Sequence, residues 1–439
     1  MTQTRSILLL AFALTLTLTA AAQYTETVNI GVPGLYTDSP PIFDAAGNIY
    51  GATGGGTGEC YPYGCGEIFQ VNSTTQASNI LYQFSGLTDG SGPTGRLTLD
   101  AKGNVYGVTF GGGNLTYCGG QGCGVVYELS PTTSGFWTET VLYAFTGLAD
   151  GGNPGGGVIF DSKGNLYGVT EGGGISNCNG SQSCGVVFML SPTSTGWKDT
   201  TLYTFTGGAD GGEPSGLLTL DANDNVYGTA GEGGNTACRY GCGTIFRLTR
   251  VADGTWSFSR LYAFDGTKGQ GPDEALVFDQ AGNIYGATNL GGKSANNSQY
   301  CPFVTCGTVY ELVRQSNGTW RHVLLHAFTG YPDGSSPYSG GVTLDAAGNV
   351  YGTAAYGGPQ TCDFTYDTPG CGTAFKLSPV SGGGWIFNRI FGFDGDDGDT
   401  PNGSLVLDSS GNLWGTSVNG FDGYGNIFEL SPPASKGNE

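Results

Sequence analysis

One pattern, Asp-x-x-x-Asn-(Ile/Val/Leu)-(Tyr/Trp)-Gly, returns seven times and constrains the fold more than any other feature of the chain. It begins at Asp44, Asp100, Asp161, Asp221, Asp279, Asp345 and Asp408, with spacings of 56, 61, 60, 58, 66 and 63 residues. A period of this length marks a repeat architecture, in which one supersecondary unit is stacked or arranged in a ring. Each copy carries four short alternating segments, here A to D. In the second copy, A ends at Leu99-Asp100 and B is Asn104 to Val108; C is Gly124 to Leu129 and D is Trp137 to Phe145. Period-two alternation with β-branched and aromatic residues predicts strands. No segment after the N-terminal apolar run has helical periodicity.

Four strands in each of seven copies predict an all-β, seven-bladed β-propeller with four antiparallel strands per blade. The last copy stops after segment C. The segment Tyr24-Thr25-Glu26-Thr27-Val28 matches the D strand Trp137-Thr138-Glu139-Thr140-Val141. The N-terminal strand is therefore expected to join the last blade and close the ring, leaving no free sheet edge there. The expected blades are 38–87, 93–147, 154–207, 214–266, 272–330, 337–395, and 401–433 with 23–32. A glycine count of 82 fits many tight turns between short strands and shows no collagen period.

Residues 1–22 read as a secretory signal: Arg5, an apolar run from Ile7 to Leu18, and the small residues Ala20-Ala21-Ala22 before Gln23. Residues 434–439 read as a polar tail, with no anchor or membrane insertion expected. The whole chain has formal charge −20; without Arg5, 36 acids face 15 bases, or −21. Such a surface disfavours nucleic acid and anionic membrane and accepts cations or neutral ligands. The protein is expected to be secreted or periplasmic and monomeric.

Twelve cysteines form six close pairs: Cys60/Cys65, Cys118/Cys123, Cys178/Cys184, Cys238/Cys242, Cys301/Cys306 and Cys362/Cys371. Each pair lies in the B–C loop of one copy. An even count in an exported chain reads as disulfides, and pairing within each loop is the simplest of many connectivities. Zinc is the alternative; it would need two pairs to converge, or histidine ligands.

Blade 2 reads Gly103-Asn104-Val105-Tyr106-Gly107, then Gly111-Gly112, then Gly124-Val125-Val126-Tyr127-Glu128-Leu129. This unit resembles the GloVer tandem repeat of exported bacterial β-propeller proteins, over nearly the whole mature chain. The resemblance implies the fold and export, and in that family often a C-terminal surface-sorting anchor, which this sequence is not expected to carry. It implies no established activity. Asp408 to Leu430 also resembles the periplasmic propeller repeats of two-component sensors.

The A–B and C–D turns are short and stereotyped, whereas the B–C loops are long and differ between copies. The B–C/D–A face, at the mouth of the central channel, is thus the expected ligand face. Its variable aromatics are the candidate binding residues: Tyr61, Tyr63, Tyr117, Tyr240, Tyr300, Phe303, Tyr356, Phe364, Tyr366, Phe421 and Tyr424. Such rings stack on sugars, or else pack over the disulfides. Asp-Gly-x-x-Pro recurs from Asp89, Asp150, Asp210, Asp333 and Asp397; it reads as an Asx-type turn in preference to calcium sites. The repeated Tyr50, Tyr106, Tyr167, Tyr227, Tyr285, Tyr351 and Trp414 read as blade packing. His322 and His326 lie four apart on one strand and are expected on one face, with His326 aligned to Tyr143. No catalytic residue, metal or cofactor is expected. The favoured function is a non-enzymatic scaffold that binds glycan or another extracellular polymer. The alternatives are a polysaccharide hydrolase or lyase using off-consensus acids such as Asp363, Asp367 and Asp422, and a protein-interaction or structural module.

Overall fold

The computed structural model describes residues 23–32, 39–55, 60, 64–178, 181–273, 275–292, 301, 305–337, 341–358, 362, 370–419 and 425–434. The fold is all-β and propeller-like. In the second repeat the four strands are Ser91–Leu99, Val105–Gly111, Val125–Pro131 and Trp137–Ala144, each antiparallel to the next. The motif explains the A–B turn. In the third repeat, Asp161 accepts hydrogen bonds from the backbone N–H of Lys163 (2.8 Å) and Asn165 (2.9 Å), the Asn165 side chain (2.7 Å) and the Tyr167 hydroxyl (3.1 Å). Trp414 Nε1 takes the hydroxyl's place in the last repeat, 3.2 Å from Asp408. The motif glycine has its own cause: a Cβ on Gly168 would run into the ring of Phe188 on the adjacent strand. The rings of Tyr167 and Phe188 are both buried.

The expectation of seven separate four-stranded blades is corrected. Among the described residues, five four-stranded sheets stand alone, and the strands of the second and third repeats are fused into one eight-stranded sheet. The join is a parallel pairing of Gly157, in strand Gly152–Phe160, with Arg96, in strand Ser91–Leu99. Its cause is local. Gly155, Gly156 and Gly157 follow Pro154; Gly157 lies against the second repeat, and Gly155 and Gly156 also lie against Ser215, Gly216 and Leu217 of the fourth. A Cβ on Gly157 would collide with the Arg96 carbonyl, and one on Gly95 with the backbone of Gly155 and Gly156. Without side chains the two inner strands approach closely enough to pair. A small hairpin, Ser176–Cys178 with Ser181–Ser183, stands apart. Thr25–Gly31 pairs antiparallel with Asn426–Ser431 and forms the outer strand of the last sheet.

Outer strands of neighbouring repeats touch through rings. Tyr203 stacks on Phe258 at 4.2 Å, Tyr262 on His322 at 4.8 Å, and His326 on Phe387 at 3.9 Å. His322 and His326 therefore pack against different neighbours, which corrects their placement on one face. The register slips between Val309 and Tyr310, opposite His326 and Leu324, and this β-bulge breaks the alternation. His326 does occupy the place of Tyr143: its Nε2 lies 2.9 Å from Asp333, as the Tyr143 hydroxyl lies 3.0 Å from Asp150. No helix among the described residues is long and apolar enough to cross a membrane.

Candidate functional site in the axial cavity

The inner strands converge on a cavity of about 360 Å³. Its wall includes the residues that follow Pro93, Pro154, Pro214, Pro272 and Pro401, namely Thr94, Gly155, Ser215, Asp273 and Asn402. These positions are equivalent in the repeat but differ in chemistry. The scaffold repeats while the site does not.

The rim is built by a device repeated in six places. The residue before each proline has a left-handed backbone, as at Asn153 (φ 55°), Glu213 (φ 51°), Ser336 (φ 53°) and Thr400 (φ 51°). Left-handed non-glycine residues are uncommon and need support from their surroundings. Here the N–H of that residue donates to the carbonyl of the second cysteine of the preceding repeat. The bonds run from Asn153 to Cys123 (2.7 Å), Glu213 to Cys184 (3.0 Å), Ser336 to Cys306 (2.8 Å) and Thr400 to Cys371 (3.0 Å), with Gly92 to Cys65 and Gly271 to Cys242 completing the set. All six cysteine pairs are disulfides within their own loops. Each disulfide thus anchors the segment that enters the next inner strand. The bridges also suggest an oxidising compartment.

Three charged side chains at the cavity break the repeat. Glu171 follows Thr170 where other repeats have Phe110, Gly231, Asn289 or Ala355. Its carboxyl is pushed up to about 7, first by burial and then by Asp273 and Glu213. The Asp273 carboxyl is pushed up to about 6 by burial and by Glu213, opposed by a hydrogen bond from Ser215. Arg96 is half-buried, and desolvation lowers its pKa from the ordinary value; a guanidinium nevertheless stays charged. It makes no ion pair among the described residues. Among the described residues no group of three or more His, Cys, Asp or Glu side chains is placed to hold a metal ion.

Of the expected aromatics, Tyr61, Tyr63, Tyr300, Phe303, Phe364, Tyr366, Phe421 and Tyr424 lie outside the described residues, as do Asp363, Asp367 and Asp422. Tyr117 is half-buried against the cluster that contains Tyr106 and Cys123. Tyr356 is half-buried and bridges Ser335 through its backbone. Tyr240 is exposed, with the Arg239 guanidinium 4.9 Å from its ring centre. None of these three lines the cavity. The Asp-Gly-x-x-Pro aspartates are turn acceptors: Asp89 takes the Ser85 N–H at 2.8 Å and Asp150 the Thr146 N–H at 2.9 Å. Arg96, Glu171, Glu213 and Asp273 escaped the sequence reading. Their signal was available: each is a charged residue at a position where the other repeats vary among small, apolar and polar types.

Sheets ringed about a cavity of mixed polarity define the class, a propeller-like repeat scaffold with an axial site. The model of the Gloeobacter/Verrucomicrobia repeat matches residues 14–181 and 115–302, more than half of the 439-residue chain. The chain belongs to that family, as the GloVer resemblance implied. No curated protein matches it in sequence. Among solved structures it is similar to a fungal alcohol oxidase of the AA5 family in complex with copper (TM-score 0.53, 15% identity, covering 93% of this chain and 76% of that one). It is also similar to the GH74 enzyme of Niastella koreensis (TM-score 0.52, 15% identity, 94% of this chain). This chain spans about half, 54%, of the latter's length. At such identity the likeness shows the fold alone.

Proposed function

We propose that the chain is an exported binding scaffold that holds a sugar unit of an extracellular glycan in the axial cavity. The observation that carries this reading is the cavity wall: equivalent positions of a strict repeat there carry Thr94, Gly155, Ser215, Asp273 and Asn402. Packing alone favours equivalence, as the Asp–Tyr turns illustrate. The cavity falls in the size range of small-ligand sites, and its wall offers hydroxyl, amide and carboxyl groups that suit a polyol. The rim is held by disulfide-anchored segments, which limits the ordering cost on binding.

A second reading is favoured by one specific feature. Glu171 and Asp273 share the cavity, with carboxyls raised to about 7 and 6. A glycosidase uses one carboxylic acid to protonate the leaving oxygen and a second carboxylate as base or nucleophile while water adds across the bond. One experiment tests both readings. Protein beginning at Gln23 is incubated with a panel of polysaccharides, and retention and released oligosaccharide are measured in the same tubes. Retention without product is expected. Product release would replace the scaffold by the hydrolase, and absence of both signals would contradict each.

A further inference from the structure

We propose that the ligand of the axial cavity is a sugar acid, with its carboxylate seated on the Arg96 guanidinium. This rests on the reading of the cavity as a sugar site and narrows its ligand class. Arg96 lines the cavity beside Thr94 and Gly95, in the strand whose backbone pairs with Gly157. It is half-buried in the cavity wall yet has no carboxylate partner among the described residues. A guanidinium keeps its charge, and holding it half-desolvated without a partner carries a cost that a bound carboxylate would offset. Its planar fork matches a carboxylate through two parallel hydrogen bonds, a geometry a lysine cannot supply.

The cavity's own acids do not fill this role. Burial raises both carboxyls, helped by Asp273 and Glu213 at Glu171 and by Glu213 at Asp273, and neither acid forms an ion pair with Arg96. The cavity wall thus carries both a fixed cation and two carboxyls that burial keeps protonated into the mildly acidic range. A ligand with a carboxylate at one end and hydroxyls at the other satisfies both. Protonated carboxyls donate to sugar hydroxyls and accept from them. The formal charge of −20 opposes a polyanion spread across the face. It leaves room for a single acidic unit reaching the cavity, because surface charges are screened beyond about 8 Å at physiological ionic strength.

The test is calorimetric titration of the intact mature protein at mildly acidic pH with glucuronate, its neutral amide glucuronamide, and glucose. Glucuronate is expected to bind about tenfold or more tighter than the two neutral sugars, as a charge-assisted pair requires. Arg96→Gln is expected to remove that advantage, so that glucuronate and glucose bind the variant alike; Arg96→Lys restores part of it. Thermal unfolding of each variant checks the fold, and the comparison of ligands on the unaltered protein stands without any variant. A glucuronate-terminated trisaccharide distinguishes the sources: tighter binding than the free acid supports a chain-end site, and equal binding supports the free acid. Equal affinity for glucuronate and glucose overturns the carboxylate seat and leaves the sugar site standing. No binding of any of these sugars overturns both.

Discussion

Gly157 lies opposite Arg96 in a parallel pairing, and that contact joins two repeats into one sheet beside the axial cavity. Gly157 has φ 95°, and the space of its missing Cβ is taken by the Arg96 carbonyl. Gly157→Val adds both backbone strain and a clash. The expected loss is about 2–3 kcal/mol of unfolding free energy, read from the urea midpoint. An unchanged midpoint would show that the join contributes nothing to stability.

The A–B turn concentrates its hydrogen bonds on one carboxylate. Asp161→Ala removes the acceptor of four of them, the buried Tyr167 hydroxyl included. A loss of about 2–4 kcal/mol is expected, against about 1 kcal/mol for Tyr167→Phe, which deletes one donor. Equal effects of the two substitutions in chemical denaturation would contradict a carboxylate-centred turn.

Stability should peak in mildly acidic solution. Between neighbouring outer strands, burial and the charges of the Asp-Gly loops raise the carboxyls of Glu26 and Glu139 to about 7 and that of Asp199 to about 6. One oxygen of each is buried without a hydrogen-bond partner. Unfolded carboxyls ionise near about 4. Between that pH and the folded values the native state holds more protons than the unfolded one, so stability falls as pH rises from about 4 to 7. The turn aspartates act in the other direction. Hydrogen bonds lower the pKa of Asp44, Asp161, Asp221, Asp345 and Asp408 against the opposing effect of burial, and their contribution is lost as pH falls below about 4. Melting temperatures from pH 3 to 8 check this. A Glu139→Gln variant should flatten the neutral limb, and a curve rising toward pH 8 would contradict the assignment.

Reduction should loosen the rim along with the loops. A six-residue loop closed by Cys118–Cys123 contributes about 2 kcal/mol in the chain-entropy model. A Cys118→Ser/Cys123→Ser double variant is expected to lose about that much stability. It should also raise hydrogen exchange at the Asn153 amide, which donates to the Cys123 carbonyl. Unchanged protection at Asn153 would disconnect disulfide from rim.

The repeating features of the fold can be read from the sequence because each has a local cause. The Asp-to-Tyr motif folds its own turn, cysteines four to nine residues apart meet within one loop, and Tyr24-Thr25-Glu26 reads as an outer strand by its likeness to Trp137-Thr138-Glu139. The fusion of two repeats cannot be read the same way. It depends on backbones 61 residues apart in the register Arg96–Gly157, and only the glycine run Gly155–Gly157 hints at it. The His322/His326 expectation failed at a bulge, since strict alternation assumes an unbroken ladder. The site was sought in loop aromatics, where residue types are conspicuous. The charged residues of the cavity stand singly on different repeats, and only the ring brings Arg96, Glu171 and Asp273 to one place.

The most direct test of the account fills the cavity. Ser215 lines it and carries no part of the repeated turn. A Ser215→Trp variant, confirmed as folded by its melting curve, is titrated with the glycan that the unaltered protein retains. The account predicts loss of binding by at least about a hundredfold, roughly 3 kcal/mol. Unchanged affinity in a folded variant would contradict the axial cavity as the binding site.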